Sequence, residues 1–391
     1  MRDWIASCAA MLLAAMPASA QTKGEFAKPE ALGLSTERLG RLDAAMQDDV
    51  ETKRKAGMVV LVARHGKIAH LKATGMSDIE RKKPMATDAL FRLHSQSKPM
   101  VSVGLLMLYE QGKFALNDPV ELYIPSFARL KVAEVGTDGK ISLRAPKRKP
   151  TILDMFRHTG GFPTTAALAF WGGPVEKIWI AAEDKFKGDL ASQVDALADL
   201  PMLSDPGMEW RYGPEHDVQG RLIEIFSGMR LDAYMREHVF KPLRLNDTVY
   251  VPSREQMARY TTIYGPDGKG GLVAVDKPEE SWYLRDAAKA PTGSSGISST
   301  AYDQFRFGQM LLNGGELGGT RLLSRKTIEM MLSDQLPREA GPMRLVPGGG
   351  AYDNLRYGLG IAIVSDLAGI GRPTSLGTAG WSGSSTTDML I

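Results

Sequence analysis

Apolar residues first recur at helical spacing at Leu39, Leu42, Met46 and Val50, with Ser35 placed as the cap ahead of them and Leu34 and Leu39 placed as a hydrophobic staple. This pattern predicts an amphipathic helix opening at Leu34-Ser35. Two runs, Met58 to Ala63 and Lys67 to Ala73, read as strands joined by a tight turn at His65-Gly66. An apolar helix from Pro99 to Glu110 follows Ser95 and ends at Gly112, and Asn117-Asp118-Pro119 starts a turn with a short helix beyond. From about 121 to 289 the chain alternates helix and loop, punctuated by Pro125, Pro146, Pro150, Pro163, Pro174, Pro201 and Pro206, with little strand periodicity. Within it, Val218, Leu222, Ile225 and Phe226 make a helical stripe that stops at Ser227-Gly228. The small-residue bend from Gly293 to Thr300 leads into a helix carrying Tyr302, Phe305, Phe307, Met310 and Leu311, with Asn313-Gly314-Gly315 past its end. Tyr357 to Val364 reads as one strand with glycines near its start.

Strands at both ends with helices between predict a sheet lobe from residues of about 21–120 and 290–391, an inserted helical lobe over about 121–289, and a cleft between them. No fixed repeat period is present.

The first twenty residues change the picture of where this chain works. Arg2, an apolar core from Trp4 to Ala15 and the small residues Ala18-Ser19-Ala20 have the form of an export signal cleaved after Ala20, which predicts a periplasmic or secreted protein of residues 21–391. The apolar run is too short to anchor the chain across a bilayer, and no later stretch is longer. Cys8, the only cysteine, lies in this segment, so the mature chain is expected to have no disulfide; a lipid anchor at Cys8 is the alternative. The formal charge of +3 is nearly neutral for this length, and Lys147-Arg148-Lys149 is too short a basic run to argue for nucleic acid. No His-Glu-x-x-His or paired histidines suggest a metal, and Gly348-Gly349-Gly350 lacks the Lys of a phosphate loop and reads as flexible, so no cofactor is expected.

Candidate chemistry centres on Ser95-Gln96-Ser97-Lys98, the only Ser-x-x-Lys. A Ser at the first turn of a helix with Lys three residues on puts a hydroxyl beside an amine able to take its proton, and the helix N-terminus favours the alkoxide. The alternative is a helix-capping Ser with a solvated Lys. No Gly-x-Ser-x-Gly is present, against an α/β-hydrolase. His70, His94, His158 and His216, with Asp217 beside the last, leave a Ser-His-Asp triad open, although each histidine reads better as a surface or structural residue. A Tyr hydroxyl can protonate a leaving group, and Tyr212, between the turns at Pro206-Gly207 and Gly213-Pro214, is the candidate; beside Trp210 it reads, taken alone, better as core packing. Gly380 to Ser384 reads as a tight strand.

Together, Ser95-x-x-Lys98, Tyr212 in place of a Tyr-x-Asn, and Trp381-Ser382-Gly383 in place of a Lys-Thr-Gly strand resemble, in this order, the serine β-lactamase and penicillin-binding superfamily. Phe91 to Pro99, Asn117 to Val120, His158 to Gly161, Asp217 to Glu224 and Gly296 to Thr300 are similar to the class C branch, and the resemblance covers roughly residues 30 to 390. It implies a β-lactamase-like α/β (α+β) fold, an antiparallel sheet from the terminal segments flanked by helices, and acyl transfer through Ser95, Lys98 and Tyr212. The backbone N–H groups of Ser95 and Ser384 are implied as an oxyanion hole, with Trp381, Ser382 and Gly383 lining the substrate site. His158 is expected to be structural.

Two departures bear on substrate. Trp381 stands where a Lys would meet a substrate carboxylate, and Tyr212-Gly213-Pro214 loses the Asn of the second motif. Both resemble the family VIII carboxylesterases, which implies a small uncharged ester as substrate, with Trp381 walling a pocket or plugging the sheet edge. A β-lactamase, a D-Ala-D-Ala peptidase or an acyltransferase of the same fold is the alternative. The resemblance also implies a further strand and a helix beyond the third motif, whereas the sequence stops at Asp388-Met389-Leu390-Ile391; an exposed sheet edge, and a binding relative without catalysis, are the expectations attached to that end.

Overall fold

The computed structural model describes residues 25–163, 173–343, 353–368, 370–371 and 373–391. The segment read as an export signal, with Cys8 in it, and Gly348-Gly349-Gly350 lie outside those residues. Helix α1 (Thr36–Glu51) starts where expected, the Ser35 hydroxyl accepting from the Arg38 N–H at 3.2 Å. Strands β1 (Gly57–Arg64) and β2 (Lys67–Asp78) pair antiparallel across a turn in which His65 (φ 53°) and Gly66 (φ 72°) are both left-handed, as a type I′ hairpin requires. A two-residue strand at Lys83–Pro84 makes the sheet three-stranded.

Helix α2 (Lys98–Glu110) is the centre of the core: every residue from Lys98 to Leu106 is buried. A helix that is apolar on all sides has to be covered on all sides, and each aliphatic side chain so covered contributes about 1.5–3 kcal/mol. Helix α3 (Glu215–Ser227), closed by left-handed Gly228, supplies one cover. The two are joined by buried polar groups, Ser102 Oγ donating to Gln219 Oε1 at 2.9 Å and lying 3.2 Å from His216 Nε2. Helix α4 (Trp282–Lys289) precedes the small-residue bend, and α5 (Ala301–Leu312) follows it, capped by Thr300.

Four strands near the end of the sequence, β3 (Leu355–Tyr357), β4 (Ala362–Val364), β5 (Ala379–Ser382) and β6 (Asp388–Leu390), form an antiparallel sheet in chain order. Helix α5 packs against both β1 and β6, so the ladders from the two ends of the chain share one helix. No described helix is long and apolar enough to cross a membrane.

Two expectations are corrected. Tyr357 to Val364 is not one strand but the ends of two, turned at Gly358–Ile361, where the Gly358 N–H meets Ile361 O at 2.8 Å. The stretch from 121 to 289 also holds two hairpins, Val132–Val135 with Ile141–Arg144 and Ile263–Pro266 with Leu272–Asp276. Their strands are four or five residues long, and Val132–Val135 and Ile263–Pro266 do not alternate between polar and apolar, which hid the pairs from a period-two reading.

Candidate active site

Ser95 lies in a 3-10 turn, His94–Ser97, that runs directly into α2. It does not cap the helix, and Lys98 is not solvated, being only 2% exposed. The Tyr212 hydroxyl donates to Ser95 Oγ at 2.6 Å, and Lys98 Nζ stands 4.6 Å from the centre of the Tyr212 ring. Lys98 Nζ also donates to the Ser294 carbonyl at 2.9 Å. The three residues singled out for catalysis therefore meet at one point, where a hydroxyl, a phenol and a buried cation can exchange a proton.

The turn is entered through His94, whose φ of 47° is left-handed. Its N–H donates to the Tyr283 hydroxyl at 3.2 Å and its ring packs on Tyr283 at 4.6 Å. Burial first, then the charges of Arg92 and Lys98, push the His94 imidazole down to about 4, so it is neutral at ordinary pH. Tyr212 is wedged between aromatic rings, 4.9 Å from His158 and 5.6 Å from Trp381. His158 ends a short helix, Ile152–Arg157, and pairs with Glu215 at 2.8 Å, both fully buried. Burial holds His158 and His216 below the usual imidazole range despite the Glu215 carboxylate beside the former.

None of the four candidate histidines reaches Ser95 Oγ among the described residues. His70 pairs with Asp43, His158 with Glu215 and His216 with Ser102, while Asp217 turns to Ser294. A Ser-His-Asp arrangement at Ser95 is thus not formed.

Strand β5 is brought against the Ser95 turn by a close backbone approach. A Cβ on Gly383 would stand 2.1 Å from the Leu93 carbonyl oxygen, so only glycine fits. The Thr387 hydroxyl donates to the same oxygen at 3.1 Å. Trp381 faces Tyr212 and, edge-on at 5.3 Å, the fully buried Tyr357. The Ser382 hydroxyl instead turns to Asp388 of β6 at 2.8 Å. Ser384 is exposed at the head of the β5–β6 turn, which Gly383 N–H to Thr387 O closes at 2.8 Å. Ser95, Lys98 and Trp381 thus each lie against Tyr212, Gly383 abuts the turn through Leu93, and Ser382 and Ser384 are exposed. Sequence reasoning missed Tyr283, Ser294 and Tyr357, and weighed Asp217 only as a partner of His216; the run Gly293 to Thr300 was visible only as a bend.

The family model described as Beta-lactamase matches residues 42–389. Esterase EstB of Burkholderia gladioli is 29% identical over 381 residues, covering 91% of this chain and 88% of its own length. The solved structure of EstCE1, a hydrolase with promiscuous acyltransferase activity, superposes with a TM-score of 0.70 at 25% identity over 91% of this chain and 88% of that one. Simvastatin synthase (LovD) from Aspergillus terreus has a TM-score of 0.73 at 22% identity, covering 89% of this chain and 88% of that one, a likeness of fold. With the match running from the first helix to the last strand, the chain belongs to the beta-lactamase family of serine hydrolases and acyltransferases.

Proposed function

We propose that the chain is a carboxylesterase that carries short acyl groups on Ser95. The observation that supports this most is the 2.6 Å hydrogen bond from the Tyr212 hydroxyl to Ser95 Oγ, with the Lys98 ammonium over the face of the same ring. In the proposed cycle the Lys98–Tyr212 pair acts with one proton removed, as amine and phenol or as ammonium and phenolate, and takes the Ser95 proton as Oγ attacks the ester carbonyl carbon. Tyr212 or Lys98 returns a proton to the leaving alcohol as the carbon–oxygen bond breaks, and water repeats the sequence on the acyl-enzyme. The backbone N–H groups of Ser95 and Ser384 are proposed to bind the oxyanion, each worth about 3 kcal/mol in comparable acyl-transfer sites.

Substrate class follows from Trp381. An indole against Tyr212 and Tyr357 offers an apolar wall where an ammonium would meet a carboxylate, which favours an uncharged ester over a β-lactam or a peptide terminus. The similarity to EstB points the same way, and that to EstCE1 supports a second reading in which an acceptor alcohol replaces water in the second half-reaction. Export to the periplasm or medium, with cleavage after Ala20, is part of the proposal, as is a small-molecule substrate with no nucleic-acid partner. Reaction with a fluorophosphonate probe and a burst of p-nitrophenol from a short-chain p-nitrophenyl ester test it. Both should vanish in Ser95→Ala; full turnover by that variant refutes the reading, and an intact-mass adduct with nitrocefin but no ester burst favours the β-lactam alternative.

A further inference from the structure

Lys98 is useful only if its Nζ is held toward Ser95 and Tyr212, and the acceptor that holds it is a main-chain oxygen, Ser294 O, on a turn without regular structure. Two side chains from different helices fix that turn. Asp217, in the first turns of α3, accepts from both the N–H and the hydroxyl of Ser294 at 2.9 Å. Tyr283 of α4 accepts from the Gly296 N–H at 2.7 Å, donates to Ile297 O at 2.9 Å, and accepts from the His94 N–H at 3.2 Å. One phenolic hydroxyl, with its single donor and both lone pairs used, therefore ties the lysine-holding turn to the residue before Ser95. The turn can close this tightly on α3 because residue 293 is glycine: a Cβ there would lie 1.7 Å from His216 O.

We propose that Asp217 and Tyr283 are positioning residues for the Ser95–Lys98 pair, acting through the 293–297 turn. The inference rests on the acyl-enzyme reading above. Tyr283 contributes geometry, since burial pushes its phenol well above the usual range and keeps it protonated. Asp217 contributes geometry and charge. Burial raises its carboxyl, while the Ser294 donors and the Lys98 ammonium oppose the rise. Of the other titratable groups around Lys98, His94, His158 and His216 are held neutral by burial, and Glu215 lies behind His158, paired with its Nδ1 at 2.8 Å. Tyr212 completes the ring of neighbours, and Arg92, beyond His94, is paired with Asp276.

The experiment is the second-order rate of fluorophosphonate labelling at Ser95 as a function of pH, with a thermal melt on each protein. Asp217→Ala and Tyr283→Phe are expected to lower the rate at pH 8 tenfold or more. Asp217→Asn, which keeps one acceptor oxygen, should recover part of that loss. It should also move the acid limb of the profile to lower pH, because the negative charge that favours the ammonium is gone; Tyr283→Phe should leave the limb in place. Trp179→Phe removes a hydrogen bond to Pro201 O in the helical stretch and serves as a control for destabilisation alone, expected to lower the melting temperature and keep the wild-type rate. Rates within twofold of wild type for folded Asp217→Ala and Tyr283→Phe overturn the inference, as does an equal loss in Trp179→Phe. If Asp217→Ala does not fold, the limb of Asp217→Asn decides: an unmoved limb overturns the role of Asp217. Absence of labelling in the wild type overturns the acyl-enzyme reading itself, and this inference with it.

Discussion

Replacing His94 with Asn should make the protein less sensitive to acid, and the size of the effect follows from where the ring sits. His94 is packed on Tyr283, its Nε2 is buried without a hydrogen-bond partner, and its pKa is pushed down to about 4 from an ordinary 6.5 by burial and by the Arg92 and Lys98 charges. Above pH 6.5 the imidazole is neutral in folded and unfolded chains alike, and it costs nothing. As pH falls through 6.5 the unfolded chain takes up a proton that the folded chain refuses until about pH 4, so stability is lost over that window. At 1.36 kcal/mol per pKa unit the loss attributable to this one ring reaches about 3 kcal/mol by pH 4. Asn accepts the left-handed backbone at 94 and has no proton to gain. Urea unfolding of the wild type and His94→Asn at intervals from pH 7.5 to pH 4 measures the difference directly. The two curves of stability against pH should diverge steadily below 6.5, the variant retaining about 3 kcal/mol more at the acid end relative to its value at pH 7.5. Parallel curves would mean that the ring takes up its proton as freely in the folded protein as in the unfolded one, and the account of its burial would be wrong.

Two further perturbations probe the site. Tyr212→Phe keeps the ring against His158 and Trp381 and deletes only the hydroxyl on Ser95, so the melting temperature should hardly move while kcat for p-nitrophenyl ester hydrolysis falls by about 10²–10⁴, the usual worth of a positioned proton donor; a fall of less than threefold would remove Tyr212 from the mechanism. Gly383→Ala forces a methyl group to within 2.1 Å of the Leu93 carbonyl oxygen, so β5 must back away from the Ser95 turn. Ester turnover should drop at least tenfold with a smaller effect on the melting temperature, and wild-type kinetics would contradict the close approach.

The candidate nucleophile was legible as a pairing, because Ser95 and Lys98 lie on one turn, although the same four residues read also as a helix-capping Ser with a solvated Lys. Tyr212 was legible through resemblance alone: nothing local distinguishes a tyrosine beside a buried tryptophan from core packing, and its sequence separation of 117 from Ser95 is bridged by the fold. The helices at α1, α3 and α5 were readable from stripes and caps, since each has one buried face and a terminal Ser, Thr or Gly. The β3–β4 hairpin was not, because Leu359 and Ile361 in its turn are as buried as the strands they join, leaving an unbroken apolar run. The clasp of Asp217 and Tyr283 on the 293–297 turn was invisible for another reason. Its decisive atoms are backbone N–H and C=O groups, which every sequence possesses, and only the three-dimensional closeness permitted by Gly293 gives them partners.

The atoms proposed to move protons and the surface proposed to choose substrate are carried on different stretches of chain. Lys98, its Ser294 acceptor, Asp217 and Tyr283 belong to helices and the bend between them, while Trp381 belongs to a strand. The two sets touch across a single ring, that of Tyr212, with the cation on it and the indole beside it. A change at position 381 would then reshape what is admitted and be felt by the groups behind it by way of that ring. Tyr212 answers to both halves, so a change there would alter selection and proton transfer together.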